Sequence, residues 1–314
     1  MKKLHFALIG AGKHGTRWVG VIRKYAFLDA IVDPKITSTL LEDVLKDKNI
    51  DAVLIATPHD SLASITLQAL EAGKHVLCEK PGAIKSIQIK KNIALAEKMG
   101  LVYKIGYNYR FHDGFIKARD LWEKGVIGNL LFIRAVHGFG GRKGYGKEWR
   151  ISKEAGGGHL RDQGVHLIDM AKSFMGKIDK VQGFRADTYW ESDTEDNAFV
   201  LLKSGNVIAS IHSSLTQWKR KHTFEIYGTR GYLIVEGLGM RYGKPEKLIV
   251  GKHTEDPDVV KEEVIKCDHI ADHSLELELK KFISDVRKGR SARSPLDAYE
   301  TLKIVEEVYR KNKI

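Results

Sequence analysis

In the first third of the chain, apolar residues fall into short, nearly continuous runs, and between the runs they recur with the period of a helix. Leu4 to Ile9 is one such run and ends at a glycine cluster, after which residues from about 14 to 25 carry a helical pattern. Phe27 to Val32 is a second run, closed by Asp33-Pro34. The spacing Thr39-x-x-Glu42 predicts a capping box opening a short helix over about 39–47. Asp51 to Ala56 reads as a buried strand stopped by Thr57-Pro58, and a helix over about 60–72 ends at Gly73. His75 to Cys78 is the next strand, then a helix over about 84–98 and a strand from Leu101 to Tyr107. Apolar strands that alternate with helices predict a parallel sheet covered on both faces.

The pattern then changes. A helix over about 113–124 leads to a strand over about 130–137 and a glycine-rich stretch, His137 to Gly146. After a helix over about 164–175, strands follow one another at about 180–190, 197–203, 206–214, 222–228 and 231–236. Turn signals at Ser204-Gly205-Asn206 and Thr229-Arg230-Gly231 make this sheet antiparallel. Helices over about 273–288 and 296–312 close the chain. The expected fold class is α/β, with an N-terminal Rossmann-type parallel sheet at 1–115 and a C-terminal α+β domain at 116–314, whose last helix packs back on the first domain.

Composition agrees with two globular domains: 314 residues, 43% apolar and 29% charged, with 30 glycines and 6 prolines. Cys78 and Cys267 are too few for a disulfide framework and point to a reducing compartment. Lys2-Lys3 precede an apolar run that Gly10 interrupts too early for a secretory leader, and no run is long enough to span a bilayer. The expectation is a cytoplasmic protein with no membrane partner. The formal charge is +12, but acidic residues are interleaved with the basic ones, and no basic stripe with aromatics points to nucleic acid.

Gly10-Ala11-Gly12-Lys13-His14-Gly15 fits G-x-G-x-x-G between a strand and a helix, the setting a dinucleotide fingerprint requires. The helix start would offer its N–H groups to a pyrophosphate. Asp33 follows Gly15 by 18 residues at the end of the second strand, where a carboxylate accepts from the adenosine ribose and repels a 2′-phosphate. That favours NAD; Lys35 keeps NADP open. The plain alternative for Asp33 is a turn aspartate before a proline.

At this point the residues resemble the Gfo/Idh/MocA oxidoreductases. The match rests on the fingerprint, on Ala56-Thr57-Pro58, and on Ala72 to Pro81 with its Glu79-Lys80-Pro81. It rests further on Gly156-Gly157-Gly158-His159-Leu160-Arg161-Asp162-Gln163-Gly164-Val165-His166-Leu167-Ile168-Asp169, with Gly106 to Phe111 and Tyr299 to Tyr309 in support. The resemblance implies a Rossmann domain, a second domain with a large open and mostly antiparallel sheet, an active site between them, and dimers or tetramers formed through that sheet. It implies NAD or NADP as cofactor and sugars, sugar nucleotides or cyclitols as substrates. Two departures stand out. Only the 17 residues 34–50 precede the next strand, room for one short helix, so the sheet edge should be trimmed. Leu62 stands where relatives often carry a histidine.

Lys80, Asp162 and His166 match the family's catalytic positions. Oxidising a secondary alcohol removes a hydride from carbon and a proton from oxygen; histidine suits the proton, and a lysine ammonium suits the oxygen as its charge develops. In a regular helix, Asp162, His166 and Asp169 would share one face. Without the family match, the structural readings are favoured, His166 as a helix histidine and Asp162 as an N-cap. Cofactor contacts are expected from Gly10, Gly12, Lys13, His14, Gly15, Asp33, Thr57, Pro58, Glu79 and Lys80. Glu79 is expected to position Lys80 or to meet the nicotinamide ribose. Substrate contacts are expected from Asn108, Arg110, Arg150, Asp162, His166 and Asp169. No metal site is expected, since His159, Asp162 and His166 lack a cysteine pair or a fourth ligand.

The basic stretch Arg142, Lys143, Lys147, Arg150, Lys153 and Arg161 suggests an anionic sugar such as a nucleotide sugar or a uronate, with glycines letting the loop fold over it. A solvated basic loop is the plain alternative. Tyr145 and Trp149 could stack on a sugar or anchor that loop. The expected activity is hydride transfer between NAD(P) and a sugar alcohol or ketone. An NAD-dependent glycoside hydrolase with retained cofactor and a non-catalytic dinucleotide-binding regulator are the alternatives.

Overall fold

A computed structural model describes residues 3–239, 245–256, 259, 261–267, 272–290 and 293–311. Lys2 at the start and residue 312 at the end of the last predicted helix lie outside them. The chain forms two compact units, Met1–Tyr107 with Glu154–Gly156 and Leu275–Lys303, and Asn108–Lys153 with Gly157–Ser274 and Ile304–Ile314. By its contacts the chain divides at 107/108, eight residues before the division expected from sequence, and the first unit also takes the segments 154–156 and 275–303.

The first unit carries a five-stranded parallel sheet in the order β2 (Phe27–Val32), β1 (His5–Ile9), β3 (Ala52–Ile55), β4 (His75–Glu79), β5 (Tyr103–Gly106). Its helices are α1 (Gly15–Tyr25), α2 (Leu41–Lys46), α3 (His59–Glu71) and α4 (Ser86–Lys98). The short crossover after Asp33 holds α2 alone, so β2 is the sheet edge and stays partly exposed while β3 is buried throughout. The Thr39 capping box does not form. Leu40 occupies the N-cap of α2, which places Glu42 in the first turn instead. Phe6, Leu8, Trp18 and Ile22 pack with Leu275, Leu279 and Phe282 of α7 (Ser274–Arg287) in one core. The α7 side chains take the covering place that a further crossover helix would fill. The Ser294 hydroxyl at the start of α8 (Ser294–Lys311) accepts from the Ile105 N–H of β5 at 3.1 Å.

The second unit begins with a 3₁₀ turn, Asn108–Phe111, and α5 (Asp113–Glu123). Its sheet has eight strands among the described residues: β6 (Leu130–Gly138), β7 (Lys180–Ala186), β8 (Asn197–Ser204), β9 (Val207–Ser214), β10 (Lys221–Gly228), β11 (Gly231–Glu236), β12 (Lys247–Lys252) and β13 (Lys261–Lys266). The order is β13-β12-β11-β10-β6-β9-β8-β7, antiparallel except where β6 runs parallel to β9. A tight turn cannot join parallel neighbours, and the long connection between them carries α6 (Val165–Met175). Strand β8 alternates buried and exposed residues. One sheet face is therefore packed, with Phe115 of α5 and Phe174 of α6 against Phe224. The other face leaves Phe132, Phe184, Phe199 and Ile208 exposed. No helix among the described residues is long and apolar enough to cross a membrane.

Candidate active site

In the first unit, β1 ends at Gly10, whose N–H bonds the Val32 carbonyl at 2.8 Å. Its φ is +87°, and a Cβ there would lie 2.8 Å from the Ala56 backbone, so only glycine makes this turn. A Cβ on Gly15 would overlap the Gly10 carbonyl oxygen, which keeps α1 close to the turn. Gly12 differs: nothing lies within 4 Å of where its Cβ would be. The first and third glycines are thus needed for packing, while the second leaves backbone uncovered beside the start of a helix. A diphosphate fits that arrangement. Lys13 is exposed beside it and His14 is half-buried.

Asp33 sits next to this turn. One carboxylate oxygen accepts from the Ala11 N–H at 2.8 Å and the other from the Lys35 N–H at 2.9 Å. Glu79, at the end of β4, accepts from Trp18 Nε1–H at 2.8 Å and meets His14 Nε2 at 2.7 Å. Burial raises the Glu79 carboxyl, but the His14 charge and the His14 and Trp18 hydrogen bonds outweigh it and hold it below its ordinary value. Glu79 therefore ties the fingerprint helix to the strand that carries Lys80, a role the sequence reading did not give it. Lys80 follows at the carboxyl end of β4, half-buried. Thr57 Oγ1 accepts from the Ser61 hydroxyl at 2.9 Å, and Pro58 occupies the N-cap of α3. Leu62 is fully buried in apolar packing, so it offers nothing polar in place of a histidine. Burial pushes the Cys78 thiol up to about 12, which leaves it inert.

In the second unit, the segment before α6 is not a regular helix. Leu160–Gly164 is a π turn, and Gly164 takes the N-cap position of α6. Asp162 lies inside the π turn, its N–H bonded to the Gly158 carbonyl at 2.8 Å, so it is not an N-cap. Its carboxylate accepts from Gln163 Nε2 at 2.9 Å and stands 3.9 Å from the Arg150 guanidinium. Arg150 lies over Trp149 and 3.6 Å from Glu148. His166, buried in the first turn of α6, stacks flat on Tyr109, with centroids 3.9 Å apart and planes at 9°. Next to Tyr109, Arg110 grips Asp169 with two bonds of 2.7 and 2.6 Å. Asn108 Nδ2 donates to the Ser274 hydroxyl at 3.0 Å.

The 3₁₀ turn thus holds α6 at two residues three apart, by a ring stack and an ion pair. Two expected substrate contacts, Arg110 and Asp169, bond each other. Tyr109 was missed; its neighbours Asn108 and Arg110 carried the motif, and nothing in spacing announces a stack. Behind Tyr109, His137 and His222 meet through their Nδ1 atoms at 3.2 Å. Burial, then the neighbouring His137 and His112, hold the His222 ring far below its ordinary value, so it stays neutral. His159 bonds the Ser213 hydroxyl at 2.6 Å. Among the described residues, no group of three or more His, Cys, Asp or Glu is placed to hold a metal ion.

The glycine-rich loop is packed rather than loose. A Cβ on Gly140 would lie 2.8 Å from the Trp218 ring, one on Gly146 2.7 Å from the Trp190 carbonyl, and one on Gly141 would overlap the Trp190 ring. Tyr145 is buried with Ile151 and Leu215 and anchors the loop. Arg142 pairs with Glu148 at 2.6 Å, and Arg161 is buried against the Gly157 carbonyl. Lys143, Lys147 and Lys153 remain exposed.

Residues 4–107 match the oxidoreductase family with an NAD-binding Rossmann fold, and residues 115–234 match the GFO/IDH/MocA C-terminal domain. The levoglucosan dehydrogenase of Pseudarthrobacter phenanthrenivorans is 27% identical over 220 residues, 61% of this chain and 56% of that protein. The 1,5-anhydro-D-fructose reductase of Ensifer adhaerens is 29% identical over 222 residues, covering 69% and 66%. The 2,7-anhydro-N-acetylneuraminate hydratase of Mediterraneibacter gnavus is 25% identical over 288 residues, covering 82% and 75%. The chain thus spans little more than half the length of the first of these relatives. In fold, a levoglucosan dehydrogenase complex with NADH and L-sorbose superposes with a TM-score of 0.86 at 22% identity, covering 99% of this chain and 98% of that one.

Proposed function

The chain belongs to the Gfo/Idh/MocA oxidoreductase family and its first unit is an NAD-binding Rossmann domain, and from that premise we propose that it moves a hydride between NAD and a secondary alcohol or ketone carbon of a sugar. The observation that carries the reading is His166, a buried imidazole held face to face on Tyr109 one turn after Asp162. Gly10, Gly12, Lys13, His14 and Gly15 would hold the cofactor diphosphate, with Asp33, Thr57 and Pro58 along the adenosine and ribose. When bound, the nicotinamide accepts or supplies the hydride. His166 takes the proton from the substrate hydroxyl, and the Lys80 ammonium holds that oxygen as negative charge develops. Asp162 orients a substrate hydroxyl, with Arg150 beside it. Asp33 favours NAD over NADP because a 2′-phosphate would meet its carboxylate.

The finer reading is an anionic sugar, a nucleotide sugar or a uronate. The exposed Lys143, Lys147 and Lys153 support it; Arg142 and Arg161 do not, being engaged internally. We further infer a homodimer or homotetramer built on the outer face of the eight-stranded sheet. Apolar side chains gathered on one exposed face, Phe184 at 77% and Phe199 at 56% exposed, support it.

The test is formation of reduced nicotinamide by the purified chain with NAD or NADP across neutral sugars, uronates and nucleotide sugars. Turnover with at least one sugar, abolished in Lys80→Ala and His166→Ala, is expected. Full activity in either variant would remove that residue from the mechanism, and dinucleotide binding without turnover of any sugar would leave a non-catalytic binder. The relative named as a hydratase of an anhydro sugar favours a second reading, transient oxidation with retained cofactor. Its signature is dinucleotide that co-purifies and substrate consumed without net reduced nicotinamide.

A further inference from the structure

Glu195 is fully buried ahead of β8, in a position that demands an explanation. A carboxylate taken out of water carries a large desolvation cost unless several partners hold it. Here one oxygen accepts from the Tyr309 hydroxyl at 2.7 Å and from the Leu160 N–H at 3.0 Å. The other faces Arg185 at 3.4 Å. The Glu195 backbone carbonyl accepts from the His159 N–H at 3.1 Å. Glu195 therefore fastens two successive N–H groups where the π turn begins, two residues before Asp162. Tyr309 reaches it from the last turns of α8, its ring between the guanidinium groups of Arg161 at 4.7 Å and Arg185 at 4.5 Å. Gly158 marks how close the chain runs: its φ is +106°, and a Cβ would lie 2.5 Å from both the Glu195 carboxylate and the Tyr309 oxygen.

We infer that Glu195 and Tyr309 are positioning residues for Asp162 and His166, setting where the π turn starts and so how α6 presents the imidazole. The inference rests on the catalytic reading of those two residues. A π turn has one residue more per turn than an α-helix turn needs, and such turns recur at functional sites. It keeps its register here because the Glu195 side chain grips the Leu160 N–H and the Glu195 backbone carbonyl grips the His159 N–H, one residue holding both. The last turns of α8, through Tyr309, thereby bear on a turn far away in sequence.

Two readouts on the full chain test this. Histidine resonances followed by NMR against pH should show the His166 midpoint moved by about half a unit or more in Tyr309→Phe, with His14 unchanged. With a substrate found by the sugar panel, Tyr309→Phe should lower kcat about tenfold while the Kd for NAD stays within twofold. In an Asp162→Asn background the same substitution should add less than twofold, because both act through one group. If Tyr309→Phe fails to fold, Glu195→Gln replaces it; the amide keeps an acceptor for Leu160 and should show a smaller shift of the same kind than Glu195→Ala. A folded variant with unchanged His166 titration and unchanged kcat overturns the inference. If the wild-type chain turns over no sugar, the proposed activity fails and the titration still decides the positioning role.

Discussion

The Arg110–Asp169 pair gives a stability prediction with an internal control, because its two partners are buried unequally. The Asp169 side chain is 1% exposed and that of Arg110 28%. Breaking a buried pair costs about 3–5 kcal/mol, most of it from the charge left behind. Arg110→Ala leaves a carboxylate without access to water; Asp169→Ala leaves a guanidinium that still reaches solvent. The first should cost about 4 kcal/mol and the second about 2. Arg119, whose guanidinium also feels Asp169, keeps the first figure from the top of that range. At about 2–4 °C per kcal/mol, melting temperatures should fall by about 12 °C and about 6 °C. The pH dependence should differ too. Without the Arg110 charge, burial raises the Asp169 carboxyl above its unfolded value, so the native state binds the proton more tightly. Stability of Arg110→Ala therefore recovers as pH falls through that raised value, and Asp169→Ala shows no such recovery. Replacing both, as Arg110→Met with Asp169→Leu, should return stability to within about 1 kcal/mol of wild type. Thermal melts and urea titrations of the four proteins measure this. Equal losses, or a larger loss in Asp169→Ala, would refute the argument from burial.

Gly12→Val should weaken NAD binding by more than about tenfold, read by fluorescence titration, and leave the melting temperature unchanged, because its Cβ meets no protein atom. Gly141→Ala should destabilise by about 1–3 kcal/mol in urea, since the new methyl overlaps the Trp190 ring at φ +70°. Glu79, with its pKa held below the ordinary 4.5, contributes stability that is fully present above that value and lost as pH falls through the lowered one. The gap in urea midpoint between wild type and Glu79→Gln should therefore close as pH is taken from about 6 to about 3; a constant gap contradicts the assignment. Phe184→Glu with Phe199→Glu should reduce the mass seen by light scattering to that of a single chain, and an unchanged mass removes the sheet face as the contact.

The strands of the first unit were legible because each is a continuous apolar run, and the fingerprint because its glycines have steric reasons that neighbouring sequence cannot disguise. Strands β12 and β13 were not. Lys261–Lys266 is almost wholly exposed and charged, as suits a protected sheet edge, so no apolar alternation marks it. The π turn was read as helix, since one extra residue in a turn leaves the apolar period of α6 intact. The glycines at 140, 141 and 146 were read as freedom to move when they are needed for contact with Trp190 and Trp218. A short spacing such as Thr39-x-x-Glu42 carries no information about which residue the chain will use as its cap. Glu195 and Tyr309 left no trace in sequence, being 114 residues apart.

The two N–H groups held by Asp33 bear on how this protein's cofactor preference can change. The carboxylate that, on the proposed reading, would meet a 2′-phosphate also braces the glycine turn through Ala11 and its own loop through Lys35. Exchanging it for a neutral or basic side chain removes the repulsion and the brace together. A chain drifting toward the phosphorylated dinucleotide would need a compensating acceptor for the Ala11 amide before the swap became harmless, so a preference set by Asp33 would be locked by architecture as much as by charge.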